Sequence, residues 1–308
     1  MSQGYEALRN GAAWLDLSAR GKIVATGADR ARLLHAMTTN HIQNLEPGMG
    51  CYAFFLNAQG RIQADVNLLC FEDHFLLDTE PETRERVYRH LDKYIIADDV
   101  ALEDATGRIA TLGLEGPGSF DTLSLIGLAV PATAFAHATS DEITVQRIAA
   151  TGAPGVRMFL PSGRKEEIIA RIESAGACAA NAEEANIVRL EHGVPRYGDD
   201  IGEMSLPQET QQMHAVHFEK GCYLGQEIVE RIRSRGHVNR LLVGLEIDTS
   251  EPPLRGTKIL ADAGEVGEIT SAALSPASGK VYALAYVRAP FAEPGKSLAV
   301  SGFPAHVR

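Results

Sequence analysis

The most unusual string in the chain is Lys220-Gly221-Cys222-Tyr223-Leu224-Gly225-Gln226-Glu227. Two glycines bracket a Cys-Tyr pair, and a helix-like run with Ile228, Val229 and Ile232 follows. Glycine at such places permits a sharp turn or a close backbone approach to a ligand. A thiol ahead of a helix N-terminus and near a lysine is favoured as thiolate, because positive potential stabilises the anion. Cys222 is therefore a candidate reactive or metal-contacting thiol, with Lys220 tuning it. The competing role is packing, since free cysteines are among the most buried residues. No His or Asn partner with a characteristic spacing accompanies Cys222, so the residues taken alone favour packing. His214 and His217 stand three apart, with Cys222 five residues later. Helical spacing could present both imidazoles to a metal. No third ligand follows at a standard spacing, so they read as surface or partly buried histidines and no metal is assigned. Gly113-Leu114-Glu115-Gly116-Pro117-Gly118 does not complete GxGxxG, and no ribose-binding acid follows, which argues against a dinucleotide site. Arg231, Arg233, Arg235 and Arg240 form a basic run, which is either a solvated helix face or a contact for an anion.

The elements that must position these residues alternate between short strands and medium helices up to about residue 236. Lys22-Ile23-Val24-Ala25 reads as a strand ending at Gly27. Asp29 is placed to cap a helix carrying Leu33, Leu34 and Met37 on one face. Two strand-forming runs, 51–56 and 62–70, flank a hairpin turn at Asn57-Ala58-Gln59-Gly60. A third strand holds Phe75-Leu76-Leu77. Thr79-Glu80-Pro81-Glu82 has the pattern of a capping box with Pro in the first turn. The helix behind it places Val87 and Leu91 on one face. Strands are expected at 110–114, 143–148 and 156–160. Helices are expected at about 164–175, ended by Gly176, and at about 182–192, opened by Asn181 with Glu184 three residues on. The stretch 120–140, rich in Ala, Ser and Thr, gives no clear period. From residue 237 the pattern changes to short β-rich runs punctuated by Gly and Pro, at 241–247, 257–260, 265–274, 281–287 and 297–300. Strands at this spacing without helices predict a small antiparallel barrel. The chain is thus divided into an α+β region, 1–236, and a C-terminal β-barrel domain, 237–308.

The Lys220–Glu227 string resembles the KGCYxGQE signature of the YgfZ family. Those proteins are folate-binding relatives of the aminomethyltransferase (T-protein) of the glycine cleavage system, and their mitochondrial members support maturation of iron–sulfur proteins. Trp14-Leu15-Asp16-Leu17-Ser18 is similar to the family's N-terminal "F-D-x-S" strand. Gly27-Ala28-Asp29 through Thr38-Thr39-Asn40 resembles its "G-x-D…L…T-N-D" helix. Arg189-Leu190-Glu191-His192-Gly193 with Tyr197-Gly198-Asp199-Asp200 resembles "R-x-E-x-G…Y-G-x-D", and residues 264–271 resemble the C-terminal barrel motif. The resemblance therefore spans essentially the whole chain. It implies a three-lobed, α+β aminomethyltransferase folate-binding fold with a C-terminal antiparallel β-barrel, and tetrahydrofolate, or a one-carbon-substituted folate, in a central channel. By motif position it implies Glu191 as the carboxylate that accepts the two-pronged donors of the pterin. It also implies Tyr52, Asp65, Tyr197 and Gln226 as further folate-binding residues, with Cys222 and Lys220 as the catalytic pair. The function it implies is a tetrahydrofolate-binding accessory protein of iron–sulfur cluster assembly or repair. Folate and iron–sulfur client or assembly proteins would be its partners. The alternative is a folate-dependent aminomethyl or methyl transferase.

One departure bears on that choice. The transferases carry Gly-Gly-x-x-Asp-Asp after the first hairpin, with catalysis linked to the first aspartate. Here the string is Gly60-Arg61-Ile62-Gln63-Ala64-Asp65, which puts Ala64 at that place. An alanine cannot carry charge, and adjacent strand residues point to opposite faces, so Asp65 is not an obvious substitute. This reading favours the accessory role.

The 308 residues carry 29 Lys+Arg against 40 Asp+Glu, a formal charge of −11. That balance opposes stable nucleic-acid binding, which needs a basic surface. No run reaches the roughly 18 apolar residues of a membrane helix, and no secretory signal is evident at Met1-Ser2-Gln3-Gly4. Four dispersed cysteines indicate no disulfide framework, so a cytoplasmic setting is expected. The charge is uneven along the chain. Residues 181–209 hold Glu183, Glu184, Glu191, Asp199, Asp200, Glu203 and Glu209 against Arg189 and Arg196. Residues 220–240 hold Lys220 and four arginines against Glu227 and Glu230. The basic segment is therefore a candidate contact, through Arg231, Arg233 and Arg235, for the anionic tail of a folate.

Overall fold

Alternation from Gly50 to Thr79 builds the first sheet. Strands Gly50–Leu56, Ile62–Cys70 and His74–Thr79 follow one another antiparallel, and Gly21–Thr26 and Ala101–Asp104 complete five strands. One face is apolar throughout. Ala53, Phe55, Ala64, Val66, Leu68, Ile23 and Leu77 pack there beneath helices Arg30–Met37 and Arg84–Tyr94. The other face carries Tyr52, Asp65, Asn67, Asp78 and Lys22, which is the sidedness that a period of two demands. In this computed structural model, residues 1–261 and 264–308 are described.

A second sheet has six strands, in the order Cys178–Ala179, Ala13–Asp16, Ile109–Glu115, Gly155–Pro161, Ile143–Gln146 and His137–Ser140. Leu112, Leu114, Val156, Met158 and Ile143 form its core with Leu123 of helix Ser119–Leu125 and Ile168 and Ile172 of helix Lys165–Ser174. Arg157 lies between Val156 and Met158, so it points to the opposite face. The third unit is a closed six-stranded antiparallel barrel, running from Arg240–Ile247 to Phe303–Val307, which also pair with each other. A mixed apolar cluster joins the units. It holds Phe54, Leu56 and Ile62 of the first sheet, Leu190 of helix Ala182–Glu191, and Leu242, Leu284 and Tyr286 of the barrel.

Several local expectations need correction. Asp29 makes no side-chain cap: its carboxylate accepts from the Asp99 amide at 2.9 Å and pairs with Arg32 instead. Thr79 closes no capping box, because it is still in the strand, paired with Gly21; Pro81 opens a 3-10 turn, Pro81–Thr83, ahead of the helix. By contrast, Asn181 and Glu184 make both bonds of a capping box. The unread stretch 120–140 contains most of helix Ser119–Leu125 and strand His137–Ser140. Helix Gln3–Asn10 and the closing strand Phe303–Val307 are additional to the elements expected from the sequence. Among the described residues, no helix is long and apolar enough to cross a membrane.

Candidate functional site

The polar faces of the two open sheets look towards each other, and a cavity of about 720 Å³ lies between them. Its floor is a set of charges fixed by strand register. Asn67 pairs with Asp78, and Gly21 pairs with Thr79. Continuing both registers puts Asp65 across from Glu80, and Glu80 across from Arg20. The three form a row over three adjacent strand segments. Arg20 Nε donates to Asp78 at 2.7 Å, and its terminal nitrogen donates to Glu80. Arg157 reaches Asp78 from the opposite sheet, and Arg196 bonds Glu80 at 2.9 Å. Asp78 and Glu80 are thus each held by two guanidiniums.

Asp65 is treated differently. Its Oδ2 accepts from the Tyr52 hydroxyl at 2.9 Å, a diagonal cross-strand contact, while its Oδ1 is buried without a partner. Burial, reinforced by the Glu80 charge and opposed by Arg20, pushes this carboxyl up to about 7. Burial also raises Glu80, but Arg20 and Arg196 outweigh it and hold that carboxyl below its ordinary value. A carboxyl poised near neutrality in a cavity can give and take a proton. Above it stands an aromatic wall. His214 stacks on Tyr52 with ring centroids 5.4 Å apart and on Phe135 at 6.1 Å. Burial depresses the His214 imidazole. Arg157 Nε is buried without a partner and faces the same space.

Tyr52 and Asp65 both line the cavity. Ala64 does not: it is fully buried under the helices, so the position that faces the cavity is the second of the motif pair. The argument from alternation runs the other way from the sequence reading, because it is Asp65 that shares a face with Tyr52 and Asn67.

Glu191 is a correction. The cavity face of helix Ala182–Glu191 is Ala182, Ala185, Asn186 and Arg189. Glu191 follows Arg189 by two residues, about 200° further round the helix. Its carboxylate accepts from Tyr5 at 2.5 Å and from Arg9 at 2.8 Å on the far side. Tyr197 also lies away from the cavity: its hydroxyl donates to the Gln63 carbonyl at 2.7 Å within the mixed cluster. Gln226 opens helix Gln226–Arg235 and lines no part of the cavity. Lys220 is buried, and its ammonium donates to the carbonyls of His35 and Thr38 at the end of helix Arg30–Met37. Desolvation lowers it to about 7, and the thiol that opposes this shift is Cys51. Lys220 therefore serves the helix end and leaves Cys222 aside. Cys222 itself is exposed, against the packing role that the residues alone favoured. Arg231 pairs with Glu227 and Arg233 with Glu230 on the same helix, and neither reaches the cavity; the Arg235 side chain lies outside the described residues.

The sequence assigns no cavity role to Arg20, Asp78, Glu80 or Arg157, whose signal was available only as register: single charges on, or one residue beyond, strands that are otherwise apolar. His214, weighed there only as a metal ligand, sits in the 3-10 turn Met213–Ala215 and stacks on Tyr52 instead. Among the described residues, no cluster of three or more His, Cys, Asp or Glu could hold a metal ion.

Comparison with known proteins agrees with this architecture. The family profile of the GCVT N-terminal domain matches residues 1–220, and that of the glycine cleavage T-protein C-terminal barrel domain matches residues 240–306. An aminomethyltransferase of Rubrobacter xylanophilus is 29% identical over 290 residues, covering 92% of this chain and 78% of the relative. One from Thermosynechococcus vestitus is 27% identical over 304 residues, covering 97% and 82%. The crystal structure of the glycine cleavage system aminomethyltransferase T of Bartonella henselae superposes with a TM-score of 0.90, covering 99% of this chain and 87% of that one at 21% identity, a likeness of fold.

Proposed function

From the premise that this chain belongs to the glycine cleavage T-protein (aminomethyltransferase) family, we propose that it is a tetrahydrofolate-dependent one-carbon transferase whose reaction runs in the central cavity. Asp65 is its acid–base group. The family uses tetrahydrofolate, and the cavity residues suit it. The volume of about 720 Å³ is in the range of small-molecule sites, roughly 300–1,000 Å³. The Tyr52–His214–Phe135 wall offers flat faces to a flat ring. The unpartnered Asp65 Oδ1 can accept an N–H, and the unpartnered Arg157 Nε–H can donate to an oxygen or ring nitrogen. When bound, tetrahydrofolate supplies the nitrogens that take up a one-carbon unit. The protein fixes the ring, excludes water and holds a proton on Asp65.

The observation that carries this reading is the half-partnered Asp65 carboxyl inside the cavity. The test is calorimetric titration of the full chain with tetrahydrofolate, followed by turnover with aminomethyl and methylamine-type donors. The wild type binds and forms one-carbon-substituted folate. Asp65→Asn binds but loses turnover by roughly 10²-fold or more. Glu191→Ala keeps its affinity within about twofold, as its distance from the cavity requires. Absence of tetrahydrofolate binding by the wild type overturns the proposal.

A second reading rests on the exposed Cys222 in its glycine-bracketed loop. It makes the chain a YgfZ-type factor that uses folate while supporting iron–sulfur proteins, with the thiol facing a client. It predicts that Cys222→Ser preserves folate binding and abolishes rescue of iron–sulfur enzyme activity in a deletion strain. Full rescue by Cys222→Ser would sink it.

A further inference from the structure

Asp65 and Glu80 line the cavity and Asp78 lies buried beside them; of these three neighbouring carboxylates, Asp65 alone has no guanidinium bonded to it. Arg20 spends its Nε on Asp78 and its terminal nitrogen on Glu80. Arg157 is spent on Asp78, and Arg196 on Glu80. Asp65, next in the row, receives a phenol from Tyr52 and no guanidinium hydrogen bond. The acid beside it is therefore pinned as a carboxylate, and a second negative charge at the neighbouring cross-strand place is unfavourable.

We propose that Glu80 is a positioning residue for the transfer reaction: held ionised by Arg20 and Arg196, it keeps the proton on Asp65, so that the pair carries one negative charge until a substrate nitrogen takes that proton. The inference rests on the reading of the cavity as the transfer site. In the step it describes, the O–H bond of Asp65 breaks, an N–H bond forms on the substrate, and Asp65 is left as a carboxylate. The new negative charge then lies beside a nitrogen that has gained a positive one, which offsets the repulsion from Glu80. Substrates that fit this device present a basic amine nitrogen, whereas an ether or thioether leaving group has no equal use for it.

Every charged or titratable neighbour is consistent with this division. On the same sheet Asp65 faces Tyr52, Asp78 and Glu80, with Arg20 beyond. The opposite sheet contributes Arg157, which is committed to Asp78. Behind the strand, Tyr197 and Arg86 are engaged with the Gln63 carbonyl and with each other. His214 lies against Tyr52, where burial favours its neutral form.

The test uses the full-length protein with ¹³C-labelled Asp and Glu carboxyl groups, followed by NMR over a pH series. In the wild type one aspartate titrates near pH 7, and its signal is lost in Asp65→Asn. One glutamate signal inflects at the same midpoint, which reads the coupling without touching Glu80. In Glu80→Gln the aspartate midpoint falls by roughly one unit or more, and the alkaline limb of the transfer pH profile, where Asp65 has lost the proton it must donate, moves down with it. A merely structural Glu80 would lower stability and leave that midpoint in place. If Glu80→Gln does not fold, the wild-type glutamate inflection decides. No aspartate titrating above about pH 5, or no glutamate inflection at its midpoint, overturns the proposal. Failure of tetrahydrofolate to bind would strike the transferase reading and leave the carboxyl titration as it stands.

Discussion

Asp65 is a carboxyl enclosed by protein with one oxygen unpaired, and ionising it in the folded state is costly. Its folded value of about 7 lies above the unfolded one, which is about 3.9. Between the two the unfolded chain releases the proton and the folded chain keeps it. Stability therefore falls as pH rises through this window and stays lower above it. Asp65→Asn removes the effect. The advantage in Tm of the variant over the wild type is expected to be several °C greater at pH 8 than at pH 5, reflecting on the order of 2–3 kcal/mol. A pH-independent difference would mean that Asp65 is already ionised at pH 5. At this scale the sequence was half legible. Aligning the hairpin on Gly60 located the right dipeptide, but which of Ala64 and Asp65 meets the ligand depends on which sheet face carries the helices. That is decided by Ile23, Leu77 and Val87, far away in the chain. Glu191 failed for the same kind of reason: a motif gives position along a helix, whereas function needs the angle around it.

The helix after the glycine-bracketed loop shows how elements are locked together. Gly225 has φ of +84°, and a Cβ there would meet the Asn57 carbonyl oxygen at 2.5 Å. Across the same contact, a Cβ on Gly60 would meet the Ile228 Cβ at 2.8 Å. The hairpin turn thus packs directly on the backbone at Gly225 and on Ile228 in the first turn of helix Gln226–Arg235, and glycine is required on both sides. Gly225→Ala is expected to cost about 1–3 kcal/mol, measured by urea unfolding. An unchanged midpoint would show that the helix start can shift freely. Elements with a clear period were legible: the first-sheet strands other than Ala101–Asp104, the barrel strands other than the closing one, and the helix that Asn181 and Glu184 cap. Helix Ser119–Leu125 was not, because seven residues, three of them Ser or Thr, are too few to show a period. Strand His137–Ser140 is mostly exposed and has no apolar face to announce it.

Seen whole, the barrel is tied to the rest of the molecule through a buried carboxylate and a shared apolar cluster. Asp200 accepts from Arg189 at 2.7 Å, and from Thr270 at 2.6 Å and Ser271 at 2.5 Å on the barrel. Arg189 in turn lines the cavity, so the barrel steadies the ligand site without entering its floor. Asp200→Ala would leave that guanidinium with only the half-exposed Asp199 as an ionic partner. It should lower stability by about 3–5 kcal/mol and weaken tetrahydrofolate together with it. Loss of stability with unaltered affinity would separate the two roles. The whole-chain resemblance foretold the barrel, but nothing in the order of residues showed that Asp200 would be the joint.

The barrel closes by pairing its first strand, Arg240–Ile247, with its last, Phe303–Val307. During synthesis the first cannot find the last until residue 307 has emerged. At roughly 5–20 residues per second this leaves an interval of several seconds. Throughout it, the residues that cover Phe54, Leu56, Ile62 and Leu190, namely Leu242, Leu284 and Tyr286, are carried on a sheet that has not yet closed. The newborn chain thus passes through a stage with a sticky, half-built surface, and its yield in a cell will depend on chaperone capacity more than its final stability would suggest.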